Sequence, residues 1–271
     1  MYINLANIDF NPGQGGVKPS GTLEISKNGV YGVYSYASAS VEVLQGGWDQ
    51  KSFTEGSIKF TNLDNTASFV ASNAFYNNKT VQTVNLPYAT SVGNGAFQGC
   101  SSLSQVSLPI CEYIGNTAFA FCNSLTQVNL SMCSYIGNYA FNSCRSLSQV
   151  DFPVCSYIGD SAFYRCTLLL QVSIPICEYI GLAAFTSCYS LTQMSLPMCS
   201  HIGRSAFYRC RLLSIITIGY SSVCSLNASS TFYRTPIASG TGSIYVPASL
   251  VDSYKSATNW SYFSTQIFPI E

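Results

Sequence analysis

The chain has 271 residues, 47% of them hydrophobic, and its twelve basic side chains balance twelve acidic ones. With charged residues at only 9% and no net charge, it is not a general binder of nucleic acid or of anionic membranes. No apolar run approaches the ~20 residues that span a bilayer, so no membrane insertion is expected and the hydrophobic positions belong to a core.

Residues 1–57 carry none of the periodicity of the later chain. The opening MYINLANIDFNPGQGG has neither the basic n-region nor the apolar h-region of a secretory signal, so export by another route, or a gene encoding a further segment, is the expectation. Residues 11–16, NPGQGG, read as a loop. Leu23 and Ile25 alternate with polar neighbours, as do Val41 and Val43, and Asn28-Gly29 is a turn dipeptide. Together these predict a small N-terminal β-module. It is similar to short β-modules of phage tail and surface-exposed bacterial proteins.

Residues 58–218 read as a solenoid. An irregular first coil is expected over 58–72, because a solenoid end exposes core and needs an atypical unit. A 22-residue unit then recurs. Leu108, Leu130, Phe152, Ile174, Leu196 and Ile218 hold one place in it, and Phe97, Phe119, Phe141, Phe163, Phe185 and Phe207 hold another. A fixed period of this size means one supersecondary unit stacked on itself. Within a unit, Val128 and Leu130 alternate with Gln127 and Asn129, the pattern of a strand with one face buried. Pro109, Pro153, Pro175 and Pro197 end that strand. Gly137 and its equivalents are expected at positive φ. Residues 138–144 are expected to form a short helix, with Asn138, like Asn116 and Asp160, at its N-cap.

Residues 219–271 predict a C-terminal cap. Ile244–Val246 reads as a strand and Ser249 as the N-cap of a helix with Leu250, Tyr254 and Ala257 on one face. Trp260, Tyr262 and Phe263 supply bulk to seal the last coil.

The unit resembles the BspA-like leucine-rich repeats of bacterial surface proteins: spaced leucines, an Ile-Gly step, then Ala-Phe-x-x-Cys. Units from Ala96-Phe97 to Ala206-Phe207 match, with a partial one at Ala74-Phe75, and the chain's end is similar to the family's closing segment. Cys111 and its series depart from the pattern, which more often has a plain aliphatic residue there. The resemblance implies an α/β repeat fold: a right-handed leucine-rich-repeat solenoid, a short strand plus a short helix per coil, behind a small N-terminal β-module. It also implies a non-enzymatic binding or adhesion protein, at the cell surface or extracellular, that needs no cofactor. The partner would be a host protein, a matrix component or a surface glycan. A structural or phage tail component, virion-associated, is the competing reading, suggested by the N-terminal module and the missing signal.

Of the twelve cysteines, six from Cys100 to Cys210 and five from Cys111 to Cys199 keep the 22-residue period, and Cys224 stands apart. Repeat positions filled by a small, easily buried residue predict mostly free thiols. Stacked equivalents ~5 Å apart are within bridging distance, but side chains that point the same way oppose it. No CxxC-like spacing suggests zinc. His201 is the single histidine and takes the place of a repeated tyrosine. Glu112 and Glu178 hold equivalent positions three coils apart. At ~4.8 Å per coil their separation is roughly 14 Å, beyond the ~5–9.5 Å of a glycosidase pair. No catalytic residue and no metal site are therefore expected.

Two surface ladders remain. Gln105, Gln127, Gln149, Gln171 and Gln193 lie on the exposed face of the main strand, beside Ser107, Asn129, Asp151, Ser173 and Ser195. Tyr113, Tyr135, Tyr157 and Tyr179 form the other. Each is either a self-stacking ladder of amides or rings, or a recognition strip for a protein or glycan. Arg165, Arg204, Arg209, Arg211 and Arg234 make the C-terminal end basic and read as a solvated edge.

Overall fold

The computed structural model describes residues 20–27, 30–36, 58–61, 68–70, 72–79, 81–86, 89–219 and 221–271. Strands β1 (Ser20–Lys27) and β2 (Val30–Tyr36) form an antiparallel hairpin, with Leu23 opposite Tyr34 and Ile25 opposite Gly32. The Asn28-Gly29 dipeptide, the loop at 11–16 and the Val41–Val43 stretch lie outside the described residues. Strand β3 (Ile58–Thr61), expected in the first solenoid coil, instead runs antiparallel along the other edge of β1. A hairpin strand leaves a row of N–H and C=O groups unpaired, and β3 satisfies it.

Beyond this sheet lies a stack of coils whose short parallel strands form further sheets. Neighbouring coils are joined along three lines. On the first, short strands pair in parallel in three separate sheets, Gln105 opposite Gln127 in one and Gln149 opposite Gln171 in another. This line continues through Gln193–Leu196 and Ile215–Ile218 to Ser243–Val246 and Ile267–Pro269 of the C-terminal segment. The second line is an eight-stranded parallel sheet from Ser68–Val70 to Ser225–Leu226, in which Tyr113, Tyr135, Tyr157, Tyr179 and His201 face one another in turn.

The third line is where the helix was expected, and there is none. Residues 138–144 form successive tight turns in which Asn142 N–H donates to Tyr139 O at 3.0 Å and Cys144 N–H to Phe141 O at 3.1 Å. Alternate amides, those of Tyr139, Phe141 and Ser143, donate instead to Asp160, Ala162 and Tyr164 of the next coil, at 2.7–2.8 Å. Tyr139 and Ser143 take φ of 57° and 60°. Those left-handed steps break a right-handed helix and turn every second N–H along the solenoid axis. A helix would have spent these donors within its own coil.

Two further expectations change with it. Gly115, Gly137, Gly159 and Gly181 do not take positive φ. A Cβ on Gly159 would lie 2.7 Å from both the Asn138 nitrogen and the Gly137 carbonyl carbon, so glycine is there to admit the neighbouring coil. Asn138 caps no helix: its Oδ1 accepts the Asp160 N–H of the next coil at 2.8 Å. The same bond links Asn94 to Asn116, Asn116 to Asn138 and Asp160 to Leu182. Asn138→Ala strands one backbone donor and should cost about 1–3 kcal/mol, read by chemical denaturation. Asn138→Asp, which copies Asp160, should cost far less. Equal losses for the two variants would contradict this assignment.

The core is a column of rings. Phe75, Phe97, Phe119, Phe141, Phe163, Phe185, Phe207 and Phe232 stack with centroids 4.9–5.7 Å apart, each no more than 2% exposed. Phe263 meets the last ring edge-on and Trp260 lies tilted beside it, closing the column. Tyr262, expected to help, is 73% exposed. In the cap, Leu250 rather than Ser249 precedes α1 (Val251–Ser256), and Ser249 lies in a 3-10 turn. Tyr254 is buried on that helix, with Leu250 and Ala257 packed against the core as the spacing implies. Trp260 Nε1 donates to Cys224 O at 2.6 Å, and Cys224 N–H donates to the Tyr254 hydroxyl at 2.8 Å, which ties the cap to the last coil.

All twelve cysteines are buried free thiols. Cys122 and Cys144 donate to the carbonyls of Phe97 and Phe119 at 3.1 Å, while Cys133 donates to Tyr135 O at 3.3 Å. Each thus satisfies its weak donor on backbone inside the core. Cys224, outside the period, shares a hydrogen bond with Cys199 that pushes Cys224 up and draws Cys199 down in pKa.

Candidate interaction surface

The glutamine strands line an open concavity of about 1230 Å³. Val106, Val150 and Met194 turn inward, 2–3% exposed, so the residues flanking each of them point out. Gln105, Gln127, Gln149, Gln171 and Gln193 are all exposed, with Asn129, Asp151, Ser173 and Ser195 exposed beside them. Among the described residues, no hydrogen bond joins one of these glutamine side chains to the next, so the self-bonded amide ladder does not form. Exposed amides on long side chains lose rotamer freedom if locked together, and water offers equivalent bonds. Among the described residues lining the concavity, Asp151 is the one that is charged.

Thr83, Asn85, Thr192 and Thr217 extend this polar surface, and the exposed Leu170 and Ile215 add apolar contacts. None of the six is one of the five glutamines or of the five residues from Ser107 to Ser195 beside them. The repeat could have found them, since Leu170 stands in register with Ser148 and Ile215 pairs with Gln193.

The tyrosines lie elsewhere, on the eight-stranded sheet. Their rings stack from Tyr113 through Tyr135 and Tyr157 to Tyr179 at 4.7–4.9 Å and end on the His201 imidazole at 4.5 Å. Desolvation pushes the Tyr135 and Tyr157 phenols up in pKa and lowers His201 below the ordinary histidine value. His201 is a member of the stack, with its Nε2 shielded and unpartnered. The two candidate sets therefore do not form one site. Between them come the step that ends the strand, a proline except at Ser131, and an apolar row in which Ile110, Met132, Ile176 and Met198 are exposed.

A third surface lies on the turn line. The guanidinium groups of Arg165, Arg209 and Arg234 sit over the rings of Tyr164, Tyr208 and Tyr233, and that of Arg211 over Tyr189, at 5.0–5.7 Å. Among the described residues, no three His, Cys, Asp or Glu side chains converge as a metal ion would require. No helix among them is long and apolar enough to cross a membrane.

Six copies of the BspA type leucine rich repeat region match this chain, over residues 48–170 and 112–237. A leucine rich cell surface protein from Faecalibacterium prausnitzii A2-165 is similar in structure, with TM-score 0.53 and 30% identity over 63% of this chain and 52% of that one. The present chain thus spans about half the length of that relative. A leucine rich repeat protein of T. pallidum is similar with TM-score 0.50 and 27% identity, over 58% of this chain and 83% of that one. No curated protein matches.

Proposed function

Given that this chain belongs to the BspA-type leucine-rich repeat family, we propose that it is a non-enzymatic binding protein of the cell surface that takes a macromolecule in the concave glutamine face. One observation carries this: the five glutamine side chains stand exposed in a column, with no hydrogen bonds to one another, over a floor flanked by hydroxyls and amides. Each free amide offers both donors and an acceptor at the ~4.8 Å step of the strands. A partner of matching repeat, an extended glycan or peptide chain, can use several at once. The cell-surface placement is supported by the F. prausnitzii relative, which is named a cell surface protein. The competing structural or virion-associated reading gains nothing from either relative.

The tyrosine column serves stability on this reading, because its stacked rings are largely engaged with one another. Two variants separate the surfaces on a glycan and protein array. Gln127→Glu, Gln149→Glu and Gln171→Glu together should weaken capture of a partner at least about tenfold, or roughly 1.4 kcal/mol. Tyr135→Ser with Tyr157→Ser should lower the melting temperature and leave capture intact. A partner bound normally by the folded glutamate variant and lost by the tyrosine variant would reverse the assignment.

A further inference from the structure

The turn side of the C-terminal coils carries a charged row that the glutamine face does not explain. Arg165, Ser187, Arg209 and Arg234 occupy the same place in successive coils, as the bonds Arg165 N–H to Thr186 O, Ser187 N–H to Tyr208 O and Arg209 N–H to Tyr233 O show. All four take positive φ, between 60° and 64°. In the first coils Asn77 and Gly99 fill this left-handed position, and both suit it better than a long side chain does. Arginine is thus held at a backbone position that works against it.

The tyrosine rings fix these arginines. Tyr208 and Tyr233 stack on each other at 5.6 Å, and a guanidinium lies over each. Stacking sets the plane of the group and leaves its N–H fork free to take an oxyanion with two bonds. Among the described residues none of these arginines is paired with a carboxylate. The Arg209 Nε–H is shielded from solvent and has no acceptor, so the bonds this group can offer a partner are those of its terminal nitrogens. Asp160, an acid on the same line, has its Oδ1 occupied by the Leu182 N–H. Arg204 and Arg211, in the same coil as Arg209, are exposed.

We propose that this row is a second binding site, for an acidic polysaccharide whose sulfate or carboxylate groups lie along the solenoid axis. The site stands independently of the glutamine face. Arg165 and Arg209 are two coils apart, roughly 10 Å at the strand spacing, with uncharged Ser187 between them. That wide step suits a polymer whose anions are set apart by sugar rings, and Arg234, one coil beyond Arg209, can share an anion with it. A nucleic acid presents a phosphate about every 1.7 Å of duplex and is held by many neutralising contacts. A chain with no net charge and one short basic row is poorly built for that.

The test is titration of the full chain with a heparin oligosaccharide, with polygalacturonate as the carboxylate-only arm and duplex DNA and polyglutamate as the other polyanions. Arg165→Ser with Arg209→Ser uses the residue that the fold itself places at Ser143 and Ser187, so the melting temperature should hold. Heparin affinity should fall at least tenfold in that variant. It should fall less, but measurably, in Arg165→Lys with Arg209→Lys, which keep the charge and lose the fork and the stack. The Gln127, Gln149 and Gln171 to glutamate variant should bind heparin as the parent does, which separates this site from the concave face. Binding of heparin alone assigns sulfate, and binding of both polysaccharides shows that carboxylate suffices. Unchanged heparin affinity in the folded serine variant would overturn the proposal. So would duplex DNA or polyglutamate bound as tightly and lost with the same substitutions.

Discussion

Taking the protein from pH of about 8 to about 10 should unfold the solenoid, because its buried thiols cannot ionise in place. Burial pushes Cys100, Cys111, Cys155 and Cys210 from the ordinary 9.0 up to about 12. It also raises Cys122, Cys133, Cys144, Cys166, Cys177 and Cys188. The folded chain therefore keeps protons that the unfolded chain releases. Stability is complete below the unfolded value and is lost as pH climbs toward the folded ones. Each thiol withdraws about 1.4 kcal/mol per pH unit in that window. Ten acting together remove on the order of 10 kcal/mol in the first unit, as much as a whole domain commonly holds. Circular dichroism against pH, in reductant, should show a steep and reversible loss, with thiolate absorbance rising in step. Structure retained far into the alkaline range while thiolates form near the ordinary value would show that the columns are solvated.

Phe141→Ala should cost about 3–5 kcal/mol, the usual loss for a large buried ring. Phe141 stacks at 5.3 Å on both Phe119 and Phe163 and also meets Phe152 at 6.3 Å, so no neighbour is free to fill the hole. In a stacked array each coil is stable through its neighbours. The gap should therefore also weaken the coupling between the two halves, and chemical denaturation should show two steps where the parent shows one. Phe141→Leu, which keeps most of the volume, should keep one step. A loss under about 1 kcal/mol for the alanine variant would remove the ring column from its central place.

The inward positions were readable because a repeat states the same burial many times. Phe141, Leu130, Cys133 and Cys144 each stand in a column of like residues, and all are fully buried. The turn line was misread for a physical reason. Ala140, Phe141 and Cys144 have the spacing of one apolar helix side, and the left-handed residues that forbid a helix, Thr117, Tyr139 and Ser161, carry no such preference. Asn73 and Gly95, in the same place in the first coils, and Asn77 and Gly99 four residues on hint at it. Asn138 has the composition of a helix cap and Gly137 that of a positive-φ step, but Asn138 caps no helix and Gly137 takes no positive φ. Their partners are one coil away, and a reading along the chain does not see across the stack. Distance along the chain hid Arg211 on Tyr189 in the same way, while Arg165 on Tyr164 was hidden by being adjacent. The Gln and Tyr ladders were visible as columns; that they sit on separate sheets was not.

The bonds that join coil to coil run along the solenoid axis on all three lines, as with Phe119 N–H to Ala140 O and Gly137 N–H to Ile114 O. Tension applied to the two ends of such a stack loads the terminal line first, and coils peel away singly. Each one released gives up 22 residues, the interval between bonded equivalents. Drawn out, that is roughly 70 Å of chain in place of a rise of ~4.8 Å. A molecule anchored at one end and gripped at the other therefore lengthens in steps and sheds load before its hold is broken.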